Sequence, residues 1–487
     1  MIPPLHPPES TNLSSAMDPS SNGFNFVVYK GSPDRRVIQG TTHRSQLNGD
    51  EVLIRITHSS LCGTDEHYLD ADMCLGHEGA GVVETLGPDV KTLEMHVLVH
   101  SWFHPALVLY LADYLHWRFR FCRGDNVAFG YQRSCCGSCA RCLGSLEMFC
   151  PSRGFYGFSE LDIGSMASHI VFRESFTYRL PPAISNEAAS ALMCGGATVF
   201  NVLDMFNVKP TDRVGIVGIG GLGHLAIQFA AKWGCEVIVF SGTEDKREQA
   251  IQLGATEFHA TKDLDKFEKI APIDHLMVTT SMQIPWPLYL PIMASPGTIY
   301  PLTVFDGDLK IPYIPFLFSG LRIQASIVAP RVVYKRMLSF AAFHGIGAIV
   351  QRYRLDVAGI EQAMADLREG KIRFRGVLCR VNEPNRSPLG WSVGLNEEGM
   401  AKRFVEVEGN EEIYMLFAAD GSALYLASIP SQSPRHLHTF FQNPVPNLAI
   451  RAPINIMAAA RSNDPAQACK PTQPPWSSIA LCLLSYL

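Results

Sequence analysis

The sequence predicts an α/β plus β architecture, a β-rich region interrupted by alternating strands and helices. Three observations predict it. From Phe24 the chain runs through short β-rich stretches, FNFVVY, DEVLIRIT and GAGVVETLG, each bounded by Gly, Pro, Asn or Asp. Between about Thr198 and Leu321 the pattern becomes an apolar strand RVGIVG, an amphipathic helix HLAIQFAAKW, a strand EVIVF, a helix DKREQAIQLG and a third apolar run DHLMVTT. This is the spacing of βαβ units around a parallel sheet. After Ile323 come two helical stretches, YKRMLSFAAFHG and GIEQAMADLREG, and a closing strand FRGVLCRV.

Composition narrows the class. A chain of 487 residues with 47% hydrophobic and 18% charged residues can bury a large core, which excludes wholesale disorder. Forty-one Lys and Arg against 46 Asp and Glu leave no excess of positive charge for a polyanion, so no nucleic-acid partner is expected. No run of about 18 uninterrupted apolar residues occurs, so no membrane partner is expected either. The N-terminal MIPPLHPPESTNLSS lacks a basic segment followed by an apolar one, and the expectation is a cytoplasmic protein with reduced thiols. Clustered cysteines are then read first as metal ligands. Residues 1–22 are rich in Pro, Ser and Asn without periodicity and are expected to be a disordered lead-in.

Cys136, Cys139, Cys142 and Cys150 form CxxCxxC followed by seven residues and a fourth Cys. Four thiolates at that spacing can fill a tetrahedral shell around Zn²⁺, leaving no position for water, so the site would be structural. The alternative is a chance cluster of buried thiols; the adjacent Cys135 is not expected to ligate. A dispersed set consists of Cys62 in LCGTDEH, His77 and Glu78 in LGHEGAG, and Cys194 in LMCGGAT. Cys₂His with one open position is the ligand set of a catalytic zinc, although each residue alone also suits a small core hydrophobe or a loop.

Gly218, Gly220, Gly221 and Gly223 stand in GIGGLG, directly after an apolar strand and directly before a helix. At such a junction glycines allow a tight turn, close approach of backbone N–H groups to a pyrophosphate, and helix-to-strand packing. The alternative is a glycine-rich turn without a ligand. The second strand ends FSGTEDKR, with no carboxylate at its end to accept from a ribose hydroxyl and repel a 2′-phosphate. NADP(H) is therefore expected over NAD(H), contacted by Ser241, Thr243 and Lys246. Lys246 and Arg247 read equally as a solvated first helical turn.

Together these motifs resemble the zinc-dependent medium-chain alcohol dehydrogenases, in particular the cinnamyl-alcohol-dehydrogenase-like branch, over residues 24–94 and 123–381. The resemblance implies a GroES-like β-domain (23–194 and 325–381) with an inserted Rossmann dinucleotide-binding domain (195–324). It implies two zinc ions per chain, a catalytic one on Cys62, His77 and Cys194 and a structural one on Cys136, Cys139, Cys142 and Cys150. Glu78 is then a carboxylate able to approach the metal, Thr64 the hydroxyl that contacts the substrate, Asp65 the acid that orients the ligand histidine, and His67 the outer group of a proton relay. The implied activity is hydride transfer between NADP(H) and a primary alcohol or aldehyde, by a homodimer. The competing function is an inactive nucleotide-binding relative with a regulatory or scaffold role.

Two segments depart from this pattern. In relatives the run VKTL is followed within a few residues by a GD dipeptide, whereas here 28 residues, 95–122, stand between TLE and RGDNVAFGY. They read as a translated intron, with a lid loop or a membrane-surface helix as rivals. The 106 residues of 382–487 carry 11 prolines and poor periodicity, and are expected to be disordered or a mistranslated extension rather than a packed domain.

Overall fold

A computed structural model describes residues 23–90, 122–304 and 307–380, and beyond them only the strand residues 393–395, 401–406, 411–417 and 424–430. The 1–22 lead-in and residues 95–121 lie outside the described residues. By its contacts the chain divides into two units, 1–407 with 413–427, and 408–412 with 428–487; the elements below up to residue 380 all belong to the first.

The β-rich region opens with β1 (Phe24–Lys30) and β2 (Ile38–Arg44), an antiparallel pair. It continues through β3 (Glu51–Leu61), β4 (Gly79–Leu86), β5 (Asn126–Phe129), the short β6 (Gln132–Ser134) and β7 (Gly154–Phe155), then β8 (His169–Arg173) and β9 (Thr177–Arg179). DEVLIRIT thus belongs to an eleven-residue strand covered on both faces, and its Val52, Leu53, Ile54 and Ile56 lie in a core with Val28, Val127, Phe129 and Phe172. IQGTTHR, β2, escaped the sequence reading because it lacks a buried apolar face: of its seven residues only Thr42 is buried.

A helical stretch from Asn186 to Met205 leads out of this region; Ser185 caps it, its hydroxyl accepting from the Ala188 N–H at 3.2 Å. Length and composition would let this stretch cross a membrane, but 83% of its apolar window is buried inside the protein, which makes it a core helix. The inserted layer then follows in the predicted order. β10 (Arg213–Val217), the helix Gly223–Trp233, β11 (Glu236–Ser241), the helix Arg247–Gln252, β12 (Glu257–Ala260), β13 (Ile273–Val278), β14 (Met293–Pro301) and β15 (Arg322–Ile323) build a six-stranded parallel sheet. Its order is β12-β11-β10-β13-β14-β15. Helices cover the sheet, so the central strands are apolar without alternation, and Val237, Ile238, Val239 and Phe240 are all fully buried. Gly234 (φ 100°) and Gly345 (φ 65°) end the helices Gly223–Trp233 and Arg331–His344 in the left-handed region, where a Cβ would be strained.

The chain then returns to the first sheet. β16 (Val350–Arg354), the helix Val357–Arg368 and β17 (Arg375–Cys379) complete an order β16-β17-β3-β4-β5-β9, with β8 also on β3. β17 runs antiparallel to β3 with Gly376 opposite Leu61. This is a GroES-like β-domain carrying a Rossmann-type insertion before its last section.

Between 382 and 487 the described residues contain β18 (Val393–Leu395), β19 (Ala401–Glu406), β20 (Glu411–Phe417) and β21 (Leu424–Pro430), ordered as a four-stranded sheet. The segment expected to be disordered or a mistranslated extension thus holds strands at these described positions. RFVE, IYMLF and LYLASI hold β-branched and aromatic residues in runs too short to weigh against the proline content that surrounds them.

Candidate active site

Antiparallel register brings the first site together. Ser59 lies opposite Gly79, and the Ser60 N–H donates to the Glu78 carbonyl at 3.0 Å, so the carboxyl end of β3 and the amino end of β4 are neighbours. Cys62 follows β3; His77 and Glu78 precede β4. The third contributor comes from the 186–205 helix, where Leu192–Gly196 form a π-turn that widens the helix at Cys194. π-turns inside α-helices often mark functional positions, because the extra residue re-aims a side chain. The π-turn is held from both sides: Thr198 Oγ1 donates to the Cys194 carbonyl at 2.9 Å and the Tyr334 hydroxyl to that of Met193 at 2.8 Å. Ligand atoms of Cys62, His77, Glu78 and Cys194 all lie within 4.8 Å of one another.

This cluster fits a zinc ion on the chemistry of its donors. Two thiolates at about 2.3 Å from a common tetrahedral zinc stand about 3.8 Å apart; Cys62 Sγ and Cys194 Sγ are 4.0 Å apart. His77 Nδ1 is 2.9 Å from Asp65 Oδ1, which fixes its proton there and turns Nε2 into the cluster as a lone-pair donor. Nε2 is fully buried and has no hydrogen-bond partner among the described residues, a position a metal would satisfy. Asp65 is held in turn, its Oδ2 accepting from the Cys62 N–H at 3.0 Å. Interaction with the Cys194 thiol holds Cys62 well below the usual thiol range in spite of its burial.

Thr64 lies in the one-turn helix Gly63–Glu66, its hydroxyl 3.6 Å from Cys62 Sγ. His67 ends that turn, exposed to solvent. Met148, Phe155 and Val328 are buried against Cys194, with Cys62 and Tyr131 packed on them, so the cluster opens onto an apolar wall. The rings of Tyr131 and Tyr156 stand 5.6 and 5.0 Å from that of His77. None of these apolar neighbours was legible in the sequence, because they come from four separate stretches that only the fold brings together.

Arg375 was also missed. It is 3% exposed, forms an ion pair with Glu78 and donates to Ser60 Oγ at 3.0 Å. Burial pushes the Glu78 carboxyl up to about 8, against the pull of this guanidinium. An isolated Arg in RGVLC carries no motif; register of β17 against β3 sets it beside the cluster.

The second site matches its spacing. Cys136, Cys139, Cys142 and Cys150 place their sulfurs at 3.6 Å (Cys139 to Cys142, Cys150 to Cys136) and 3.9 Å (Cys136 to Cys142, Cys139 to Cys150), again the separation of thiolates on one zinc. Backbone amides of Ser138 and Cys139 draw the Cys136 thiol down to about 6, favouring the ligand form. Cys135 stands outside this group of four. A third gathering, His58, Glu187 and Cys379, has its carboxylate taken by Nε and Nη2 of Arg352 and is an ion-pair site.

The glycine-rich turn is built for close approach. Gly218 has φ 94°, and a Cβ on Gly223 would lie 1.9 Å from the Gly218 carbonyl oxygen, so neither tolerates a side chain. Gly220 has open space where its Cβ would be, whereas a Cβ on Gly221 would lie 3.0 Å from the Arg375 side chain. At the end of β11 Ser241 is buried, the Thr243 hydroxyl is bonded to the Asp245 carboxylate, and Lys246 Nζ donates to the Ile219 carbonyl at 3.1 Å. One donor of Lys246 thus already serves the turn, and Asp245 also pairs with Arg373 at 3.2 Å.

Comparison with known proteins agrees with this geometry. Residues 48–104 match the family model for the alcohol dehydrogenase GroES-like domain and residues 221–342 that for zinc-binding dehydrogenases. A probable formaldehyde dehydrogenase of Bacillus subtilis is 30% identical over 354 residues, 70% of this chain and 93% of that protein. A probable cinnamyl alcohol dehydrogenase of Oryza sativa subsp. japonica is 28% identical over 352 residues, 69% of this chain and 90% of that one. Among solved structures, a CAD from Helicobacter pylori complexed with NADP(H) superposes with a TM-score of 0.61 at 22% identity, over 73% of this chain and 98% of that chain. With two cysteine-rich clusters and a glycine-rich turn in the family's order, and a relative of this similarity, the chain belongs to the zinc-dependent medium-chain alcohol dehydrogenases, in their cinnamyl-alcohol-dehydrogenase-like branch.

Proposed function

We propose that the chain is a zinc-dependent oxidoreductase that moves hydride between NADP(H) and a primary alcohol or its aldehyde. The observation that carries this reading is the convergence of Cys62, His77 and Cys194, with the unpartnered His77 Nε2 aimed among them, beside a glycine-rich turn whose Gly220 is open to a ligand. Cys62, His77 and Cys194 would hold the zinc, which would supply a Lewis acid for the substrate oxygen, and the glycine-rich turn would hold the nucleotide whose nicotinamide would supply or take the hydride. Asp65 keeps His77 in the tautomer that presents Nε2. Thr64, beside Cys62, is positioned to accept the alcohol proton, and His67 at the end of the same turn offers it an outlet to solvent. Met148, Phe155 and Val328 make the wall beside Cys62 and Cys194 apolar, which suits a substrate with an apolar group next to its hydroxyl-bearing carbon. Cys136, Cys139, Cys142 and Cys150 hold a second, structural zinc.

The preference for NADP(H) is supported by the strand end Ser241-Gly242-Thr243, which carries no carboxylate, and by Lys246 beside it, whose ammonium keeps two donors after its bond to Ile219. A second copy of the chain is the proposed partner. The apolar side chains of Tyr313, Ile314, Leu317 and Phe318 are exposed on the helix Tyr313–Phe318, next to β15, the edge strand of the parallel sheet among the described residues.

Steady-state kinetics on the purified protein test the reading. A kcat/KM for NADP⁺ higher than for NAD⁺ is expected with a primary alcohol. Cys62→Ser should abolish turnover while leaving the four-cysteine site loaded, because an open-site ligand is lost and the closed site is untouched. Undiminished oxidation by that variant, or preference for NAD⁺, would overturn the assignment concerned. Nucleotide binding without turnover in the parent would give the regulatory relative instead.

A further inference from the structure

His224 is fully buried in the first turn of the helix that follows the glycine-rich loop. Its two ring nitrogens are committed in opposite directions. Nδ1 lies 2.9 Å from the Gly220 carbonyl, which can only accept, and Nε2 receives the Ile349 N–H at 3.3 Å. The tautomer is thereby set: Nδ1 carries the proton and Nε2 the lone pair. Phe374 stacks on the ring, centroids 4.9 Å apart and planes 26° apart, and one turn further along Gln228 Nε2 donates to the Gly347 carbonyl at 3.0 Å.

Ile349 continues the connection. Its carbonyl accepts from the N–H groups of Phe374 at 3.0 Å and Arg375 at 3.1 Å. The Arg375 guanidinium bonds Glu78 and Ser60 at the edge of the metal cluster, and its side chain lies against Gly221. An unbroken series of contacts therefore runs from the Gly220 peptide through His224, Ile349 and Arg375 to Glu78. The geometry assigns to His224 a positioning role: it transmits the state of the nucleotide-binding turn to the carboxylate at the metal centre, while touching neither nucleotide nor metal. This rests on the proposed nucleotide site. A pyrophosphate held by the N–H groups of the turn would bear on the peptides there, and the imidazole, bonded to the Gly220 carbonyl, would pass a shift of that peptide to Ile349 and so to Arg375. Coupling of this kind requires that the ligand favour one arrangement of the turn over another.

The test is a double-mutant cycle on the metal-loaded full chain, read as the Kd of NADPH by fluorescence titration, with zinc content measured on every variant. The variants are His224→Ala, Glu78→Gln and the two combined. Residues without a shared partner normally give additive effects. Here the combined Kd is expected to depart from the product of the single effects by more than about 2-fold, and His224→Gln, whose amide can both donate and accept, should restore part of that coupling. A local structural role for His224 would lower stability without producing non-additivity. Effects that multiply to within about 2-fold would overturn the assignment while leaving the proposed function standing. Absence of NADPH and NADH binding by the parent would remove both. Should His224→Ala fail to fold, the same cycle between Phe374→Leu and Glu78→Gln decides, since Phe374 holds the same ring.

Discussion

A buried imidazole with both nitrogens satisfied in its neutral form resists protonation, and His224 is such a group: burial, with the nearby Arg375 charge adding to it, draws its pKa down to about 4. The consequence for stability has a definite sign. Above the unfolded value of about 6.5 neither state binds the proton and nothing changes. Below it the unfolded chain takes up a proton that the folded chain refuses, so stability falls as the pH drops from about 6.5 towards 4, by about 3 kcal/mol in all. His224→Gln cannot titrate. Its stability deficit relative to the parent, measured by denaturant unfolding, should therefore shrink by about that amount between pH 7 and pH 4. A deficit that stays constant over this range would mean that the ring takes up its proton as readily in the folded state as in the unfolded one.

Among the elements, the four-cysteine lobe and the π-turn solve opposite problems. The lobe between β6 and β7 is a loop with two single-turn helices whose backbone hydrogen bonds are all local, such as Gly144 N–H to the Ala140 carbonyl and Cys150 N–H to that of Glu147, and its four sulfurs meet at its centre. With zinc bound there, removal of one ligand subtracts directly from folding free energy. Cys139→Ser should lower the melting temperature by about 5 °C or more and release one zinc per chain. Retention of both the metal and the melting temperature would show that the lobe is held by packing alone. The π-turn at Leu192–Gly196 is instead held by its neighbours, Thr198 and Tyr334, and by a core in which Leu192, Met193 and Ala197 are fully buried. There a metal is positioned by the fold rather than the fold by a metal.

For the molecule as a whole, the strands that flank residues 95–122 pair directly. β4 and β5 run antiparallel with Gly79 opposite Phe129 and Val82 opposite Asn126, and the Gly124 N–H still donates to the Val83 carbonyl at 2.8 Å. A register closed on both sides needs only a short connection. Joining Glu94 to Arg123 should therefore preserve the fold. It also removes Trp102, Phe103, Trp117, Phe119 and Phe121, an aromatic run prone to aggregation if exposed. The shortened chain is expected to be more soluble and to reduce aldehydes at least as well as the full one. Loss of activity with fold and zinc content intact would make the segment a working lid.

The elements with strong periodicity were legible before any coordinates. The strands around Phe26, Ile54 and Val83, the order of strands and helices from Arg213 to Val278, and the helices ending at His344 and Arg368 follow from period and composition, because each must bury one face or both. The glycine-rich turn was legible because only glycine can occupy Gly218 and Gly223, and the closed cysteine site because its four ligands lie within fifteen residues of chain. Short strands such as β2, β12 and β16 left no such trace: their burial comes from neighbours, not from a pattern of their own. The open cluster is the intermediate case. Its residue types were identifiable, but sequence separation says nothing about distance, and it took the β3–β4 register and a π-turn to bring Cys62, His77 and Cys194 within reach of one another. Arg375, His224 and the apolar wall of Met148, Phe155 and Val328 were decided entirely by the folded chain. Local pattern encodes which face of an element is buried; which distant side chain it is buried against depends on register and topology, and the second coordination layer of a site is made of such partners.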